Sequence, residues 1–207
     1  VTQIAENTGK TRIQREKTKQ ILEAALNVFS QFGYRGSTID QIAKEAGLSK
    51  PNLLYYFPSK EVIHSELLAG LLDTWLDPMR ALNAQGEPLE EILAYVRRKL
   101  QMSRDFPRES RLFANEIIQG APRILPAIEG ELRDLVEEKS AIIQAWIDAG
   151  RIAPNDPQHL LFSIWSLTQH YADFEVQVRA ISPEDQPVYP RAEAHLTTLF
   201  TRMLALT

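Results

Sequence analysis

The chain has 207 residues, is 44% hydrophobic and carries a formal charge of −4. That length buries a full core, as one large domain or a small domain on a larger one, and the lack of cysteine excludes a disulfide scaffold and fits a reducing compartment. Apolar runs such as Leu160–Trp165 fall far short of the roughly 20 residues of a membrane span, and the first residues are too polar for a secretory signal, so a cytoplasmic protein with no membrane partner is expected.

Apolar residues recur at helical spacing along nearly the whole chain and no alternating strand stands out, which predicts an all-α fold. The first ten residues are polar and expected to be disordered. Ile21, Ala25, Val28, Phe29 and Phe32 form one stripe that ends at Gly33 and Gly36. Two short helices follow, Thr38 to Glu45 and Lys50 to Tyr56, joined by Ala46-Gly47-Leu48-Ser49. A longer helix starts after Pro58, with Ile63, Leu67, Leu71 and Trp75 spaced by four, and is expected to stop near Pro78. Amphipathic segments are predicted at about 88–104, 107–119, 124–149, 156–179 and 190–206, punctuated by prolines and glycines. The sum is about nine helices, the first three making a compact head.

Charge is uneven along this order. Residues 1–62 hold 9 Lys+Arg against 6 Asp+Glu, whereas the remainder hold 14 against 21. Only the N-terminal third is suited to face a polyanion.

Thr38 precedes Gln41 by three residues, the spacing at which a side-chain cap and its reciprocal partner satisfy two orphan amides. Ala43 is small enough for close helix crossing, Gly47 can take a left-handed turn and Ser49 can cap a second helix. Together these make a helix-turn-helix. In its second helix Leu53, Leu54 and Phe57 are expected to pack inward, leaving Lys50, Pro51, Asn52, Tyr55 and Tyr56 for base edges and phosphates. Ser59-Lys60-Glu61 opens the next helix, whose free amides, with Lys60, suit a DNA phosphate. The candidate DNA-binding set is therefore Thr38, Ser49, Lys50, Pro51, Asn52, Tyr55, Tyr56 and Lys60.

Thr38, Ile42-Ala43, Ala46-Gly47-Leu48-Ser49, Leu54-Tyr55-Tyr56-Phe57 and Ser59-Lys60-Glu61 together resemble the signature of the TetR family of bacterial regulators, over about residues 15–75. Asn52 stands where the family often has glycine. The resemblance implies a DNA-binding domain at 15–75, a C-terminal ligand-binding and dimerisation domain at 76–207, a homodimer pairing through its last two long helices, and a near-palindromic operator. Further stretches, Ser103 to Pro107, Glu137 to Ser140 and Thr168 to Phe174, resemble the branch of that family that responds to uracil and thymine. That likeness implies a repressor released by a uracil- or thymine-like effector, or a related regulator sensing another small molecule.

The residues add their own argument for a flat polar ligand. Trp165 and Gln169 are four apart on one helix face, Trp75 can supply a second wall, and a glutamine amide both donates and accepts. Both tryptophans could instead be core, with Gln169 filling a buried polar gap. The stripe Leu196, Leu199, Phe200 and Met203 is expected to supply dimer contacts.

Two other classes compete. A small helical enzyme lacks support because His64, His159, His170 and His195 lie on separate segments, with no phosphate-binding loop or serine elbow. No catalytic, metal or cofactor site is expected. A helical docking module would leave the ordered head from Thr38 to Glu61 without a purpose.

Overall fold

The computed structural model describes residues 12–206; the predicted disorder of the first ten residues lies outside them. Every regular element among the described residues is a helix. The chain divides into two compact units, with the division between Leu67 and Leu68.

In the first unit α1 (Arg12–Gly36) buries Ile21, Ala24, Ala25, Val28 and Phe29, and its winding breaks at Gly33, where φ is +67°. Phe32 belongs to that stripe by spacing but lies beside the break and stays at the surface. α2 (Ile39–Glu45) starts on a capping box: the Thr38 hydroxyl accepts from the Gln41 amide at 3.2 Å and the Gln41 side chain accepts from the Thr38 amide at 2.8 Å. The helix ends as the Leu48 amide donates to the Ala43 carbonyl and the Gly47 amide to the Lys44 carbonyl, around Gly47 at φ +63°. This hydrogen-bond pair needs a left-handed residue, which glycine adopts without strain. α3 (Lys50–Tyr56) follows, with Ser49 as its N-cap and Pro51 in the first turn.

α4 (Lys60–Arg80) begins in the first unit and ends in the second. The proline rule places its end near Pro78, yet the helix runs on to Arg80. Two interactions hold this end in place. The Arg80 guanidinium pairs with Asp73, Asp77 and Glu131, and the buried Lys139 ammonium donates to the Arg80 and Leu82 carbonyls at 3.2 and 3.3 Å.

The second unit continues with α5 (Pro88–Asp105), α6 (Pro107–Ile118), a single turn α7 (Leu125–Ala127), a π-helical turn at Ile128–Leu132, α8 (Arg133–Asp148), α9 (Pro157–Asp173), α10 (Glu175–Ile181) and α11 (Val188–Leu204). Pro88, Pro107 and Pro157 open their helices, where a missing N–H costs nothing and φ is already helical. α5 and α9 form the central pair, α11 packs on α5, and α6 and α8 pack on α9.

Three expectations change. The segment 124–149 is not one regular helix, because its winding loosens through the π-helical turn. The segment 156–179 breaks at Phe174, where Ser110 donates to Asp173 at 2.5 Å and Arg111 pairs with Glu175 at 3.0 Å, tying the break to α6. On α11, Leu196 and Phe200 lie wholly inside the protomer core, so half of that stripe is already spent within one chain, while Leu199 and Met203 pack against the core and stay half-exposed.

Candidate DNA-reading head and effector cavity

α3 presents its candidate residues by simple helical geometry. Leu53 and Phe57, four apart, are buried, whereas Leu54, a hundred degrees or so round the helix, is 36% exposed and does not pack inward as expected. Lys50, Pro51 and Asn52 are exposed in the first turn, and Tyr55 is 73% exposed with its ring edge-on to Tyr56 at 5.2 Å. Thr38 and Ser49 are exposed but occupied as caps. The Lys50 ammonium rests on Asp40 of α2 at 2.9 Å. Such an exposed pair is weak and salt-sensitive, so Lys50 can exchange Asp40 for a phosphate at little cost.

Lys60 is engaged within the head itself. Its ammonium donates to the Tyr34 and Ser37 carbonyls, each at 2.7 Å, and lies 4.3 Å from the centre of the Tyr34 ring. Two of its three N–H groups are therefore committed to closing the C-terminal end of α1. Gln20, which sequence reasoning passed over, donates from α1 to the Ala46 carbonyl at 2.7 Å and clamps the turn between α2 and α3.

In the second unit Trp75, Trp165 and Gln169 line one cavity of about 60 Å³. Leu72, Leu76 and Met79 of α4 complete one wall, Phe113 of α6 and Leu132 of the π-helical turn another, and Tyr95 and Lys99 of α5 a third. Trp75 is buried and tilted against Phe106 at 6.3 Å, and the Trp165 indole N–H donates to the Tyr95 hydroxyl at 2.7 Å. The Gln169 amide has no hydrogen-bond partner among the described residues. Drug-sized ligand pockets span roughly 300–1,000 Å³. At about 60 Å³ this one holds roughly two water molecules and must widen to admit even a single small ring.

Lys99 and Tyr95 are the cavity residues that sequence reasoning missed. Lys99 is 3% exposed, with its ammonium 5.5 Å from the centre of the Trp75 ring. Burial lowers its pKa to about 7, and the charge of Asp173 works against that shift. Burial likewise pushes up the Tyr95 hydroxyl and the Asp173 carboxyl, the latter opposed by the hydrogen bond from Ser110. A signal was present: Ile92, Val96, Lys99 and Ser103 lie at i, i+4, i+7 and i+11, which places a lysine squarely on the buried stripe of α5.

A larger groove of about 490 Å³ runs between α5 and α11, lined by Arg97, Arg98, Arg104 and Tyr189. Arg97 and Arg104 are paired there with Glu90 and Asp105, so the groove is a solvated charged surface without an aromatic sandwich.

Residues 21–67 match the bacterial regulatory proteins of the tetR family, and residues 68–207 match the C-terminal region of YcdC-like proteins. The chain belongs to the TetR family. Over 176 residues this TetR-family protein is 51% identical to the HTH-type transcriptional regulator RutR of Escherichia coli K12, covering 84% of this chain and 83% of RutR. It is 28% identical over 156 residues to the HTH-type regulator YhgD of Bacillus subtilis, covering 73% and 80%. Its fold is similar to a tetR-family regulatory protein from Rhodococcus RHA1, with TM-score 0.76 at 19% identity over 93% of this chain and 98% of that one. AibR in complex with isovaleryl coenzyme A and operator DNA gives 0.69 at 16% identity over 88% and 97%. The protein is a DNA-binding TetR-type transcriptional regulator and a RutR homologue; these relatives are regulators, not enzymes. No helix among its described residues is long and apolar enough to cross a membrane.

Proposed function

We propose that this TetR-family protein is a repressor that binds a near-palindromic operator as a homodimer and is released when a uracil- or thymine-like ring occupies the cavity between Trp75 and Trp165. The observation that carries the effector reading is the lining of the cavity: two indoles and a Gln169 amide with no hydrogen-bond partner among the described residues. A pyrimidinedione fits that chemistry, with π-faces for the walls and alternating carbonyl and N–H groups for the amide. The likeness of Thr168 to Phe174 to the uracil- and thymine-responsive branch supports the same choice.

On the DNA side, Lys50, Pro51, Asn52, Tyr55 and Tyr56 read base edges and phosphates from the exposed face of α3, while Thr38 and Ser49 set the helices that carry them. Lys60 acts by fixing the start of α4 rather than as a free phosphate contact. A short α3 reads few base pairs, so two copies on a two-fold axis are needed for a specific operator. The dimer face is the outward side of α9 and α11, where Phe162, Leu167 and His170 on the first and Ala194 and Thr198 on the second remain exposed.

Release requires the effector to bind better to the dimer whose heads are wrongly spaced for the two half-sites. α4 is the natural coupler because one helix carries Lys60 in the head and Trp75 in the cavity wall.

The test is capture of genomic DNA fragments by the protein with and without uracil, thymine and adenine, followed by fluorescence anisotropy on the recovered site. Release by the two pyrimidines and not by adenine is expected. Release only by a ligand of another chemical class would keep the regulator and discard the pyrimidine.

A further inference from the structure

Lys99 is a buried cation of the second unit that the described residues around it leave without an acceptor. It is buried among apolar side chains, lines the cavity, and has no hydrogen-bond acceptor among the described residues; the Trp75 ring is its only close partner. A buried ammonium without acceptors is costly, and a protein normally surrounds one with carbonyls or a carboxylate. Lys139 shows the ordinary solution, with two backbone carbonyls and Glu138 around its nitrogen.

Tyr95 lies four residues away on the same face of α5. Its oxygen accepts from the Trp165 indole, which can only donate. The phenolic hydrogen therefore remains unspent, on a side chain 3% exposed that also lines the cavity. Two spare donors on one wall call for two acceptor oxygens from the occupant.

We propose that Lys99 and the Tyr95 hydroxyl form a donor edge that reads two carbonyl oxygens of a planar ring, so that effector binding is coupled to the charge on Lys99. This rests on the effector reading above and adds to it the residues that read the two carbonyls and a coupling to protonation. A ring with an amino group in place of one carbonyl sets donor against donor and is rejected. Gln169 of α9, which also lines the cavity, is left to pair with the ring N–H.

The charge coupling has a definite sign. Of the groups around Lys99, α4, α6 and the π-helical turn contribute only apolar lining, α5 contributes Tyr95, and α9 contributes the field of Asp173. Tyr189 and Glu193 of α11 act on Arg104 instead. Burial brings the pKa of Lys99 down to about 7. A carbonyl oxygen on the amine restores the charged form. Above pH 7, therefore, the effector brings a proton with it, and its affinity falls as pH rises.

The experiment is calorimetric titration of uracil and cytosine into the full-length protein at pH 6 and pH 8, each in two buffers of different ionisation enthalpy, for wild type and Lys99→Met. Wild type is expected to take up about one proton with uracil at pH 8 and close to none at pH 6. Lys99→Met should abolish the uptake and weaken uracil roughly ten- to hundredfold, the loss of one hydrogen bond to a charged group. Cytosine should bind wild type at least about tenfold more weakly than uracil. Uracil binding without proton uptake in wild type, or with equal affinity in Lys99→Met, overturns the donor edge and leaves the effector reading standing. So does cytosine binding as tightly as uracil. The proton count uses wild type alone, so it holds even where the variant misfolds. No uracil heat in wild type at either pH overturns the effector reading and the donor edge together.

Discussion

The Trp165 indole N–H and the Tyr95 hydroxyl meet at 2.7 Å across the two central helices of the second unit, seventy residues apart in sequence. This bond fixes one wall of the cavity. It joins α9 to α5 at the level where Gln169 and Lys99 project from the next turn of each helix.

Tyr95→Phe tests that relationship. It keeps the ring but leaves a half-buried indole N–H without an acceptor, which costs about 1–3 kcal/mol. Urea denaturation should show a loss of that size, and uracil affinity should fall as the Trp165 wall loosens. An unchanged midpoint would mean that the bond contributes nothing net.

Gln169→Leu separates ligand reading from folding. It removes the amide from a cavity where that amide has no internal partner, so stability should hold or rise, while uracil binding weakens by about 1–3 kcal/mol. Operator affinity without effector should stay at the wild-type value in anisotropy.

Lys99 makes stability pH-dependent in a predictable direction. In the unfolded chain a lysine keeps its proton to about 10.4, whereas the folded cavity releases it at about 7. Between those values the unfolded chain binds more protons, so folding is penalised most at pH 7 and below and less as pH rises. Lys99→Met removes the penalty. Its melting temperature should exceed wild type at pH 6, with the difference shrinking steadily from pH 7 to pH 9.

Lys50 and Lys60 should behave differently in DNA binding. Lys50→Ala should weaken all sequences alike and flatten the salt slope by about one unit, as one phosphate contact does. Lys60→Ala frees the Tyr34 and Ser37 carbonyls and should lower the stability of the head, with little change in the salt slope. Anisotropy over a salt series, beside thermal melts, distinguishes the two.

The dimer face can be told from the core on two neighbouring helices. Ser166→Arg on the exposed side of α9 should yield folded monomers in sedimentation at micromolar concentration. Leu196→Ala hollows the protomer core and should cost about 2–5 kcal/mol of stability. Folded dimers of Ser166→Arg would move the interface elsewhere.

What was legible in the sequence was what is decided locally. Thr38, Gln41, Gly47 and Ser49 fix the bounds of α2 and α3 through hydrogen bonds spanning three to five residues, so their order alone foretells the head. Trp165 and Gln169 share a face by spacing alone. The break at Phe174 depends instead on Ser110 and Arg111, more than sixty residues away, and no proline or glycine marks it. Lys60 looked like a surface cation because its acceptors are backbone carbonyls, which no side-chain pattern reveals. Leu196 and Phe200 were ambiguous because a protomer core and a dimer interface require the same apolar spacing.

The π-helical turn at Ile128–Leu132 carries one further consequence. A turn of this kind holds one residue more than an α-turn, and it contains Leu132 of the cavity wall. Removing a single residue there would restore regular winding and, because the π-turn takes up its extra residue within one revolution, would leave the flanking segments close to their present phase. Loss of one residue at this point thus gives descendants of the gene a way to change which side chain lines the cavity at Leu132, in one genetic event and without rebuilding the rest of the core.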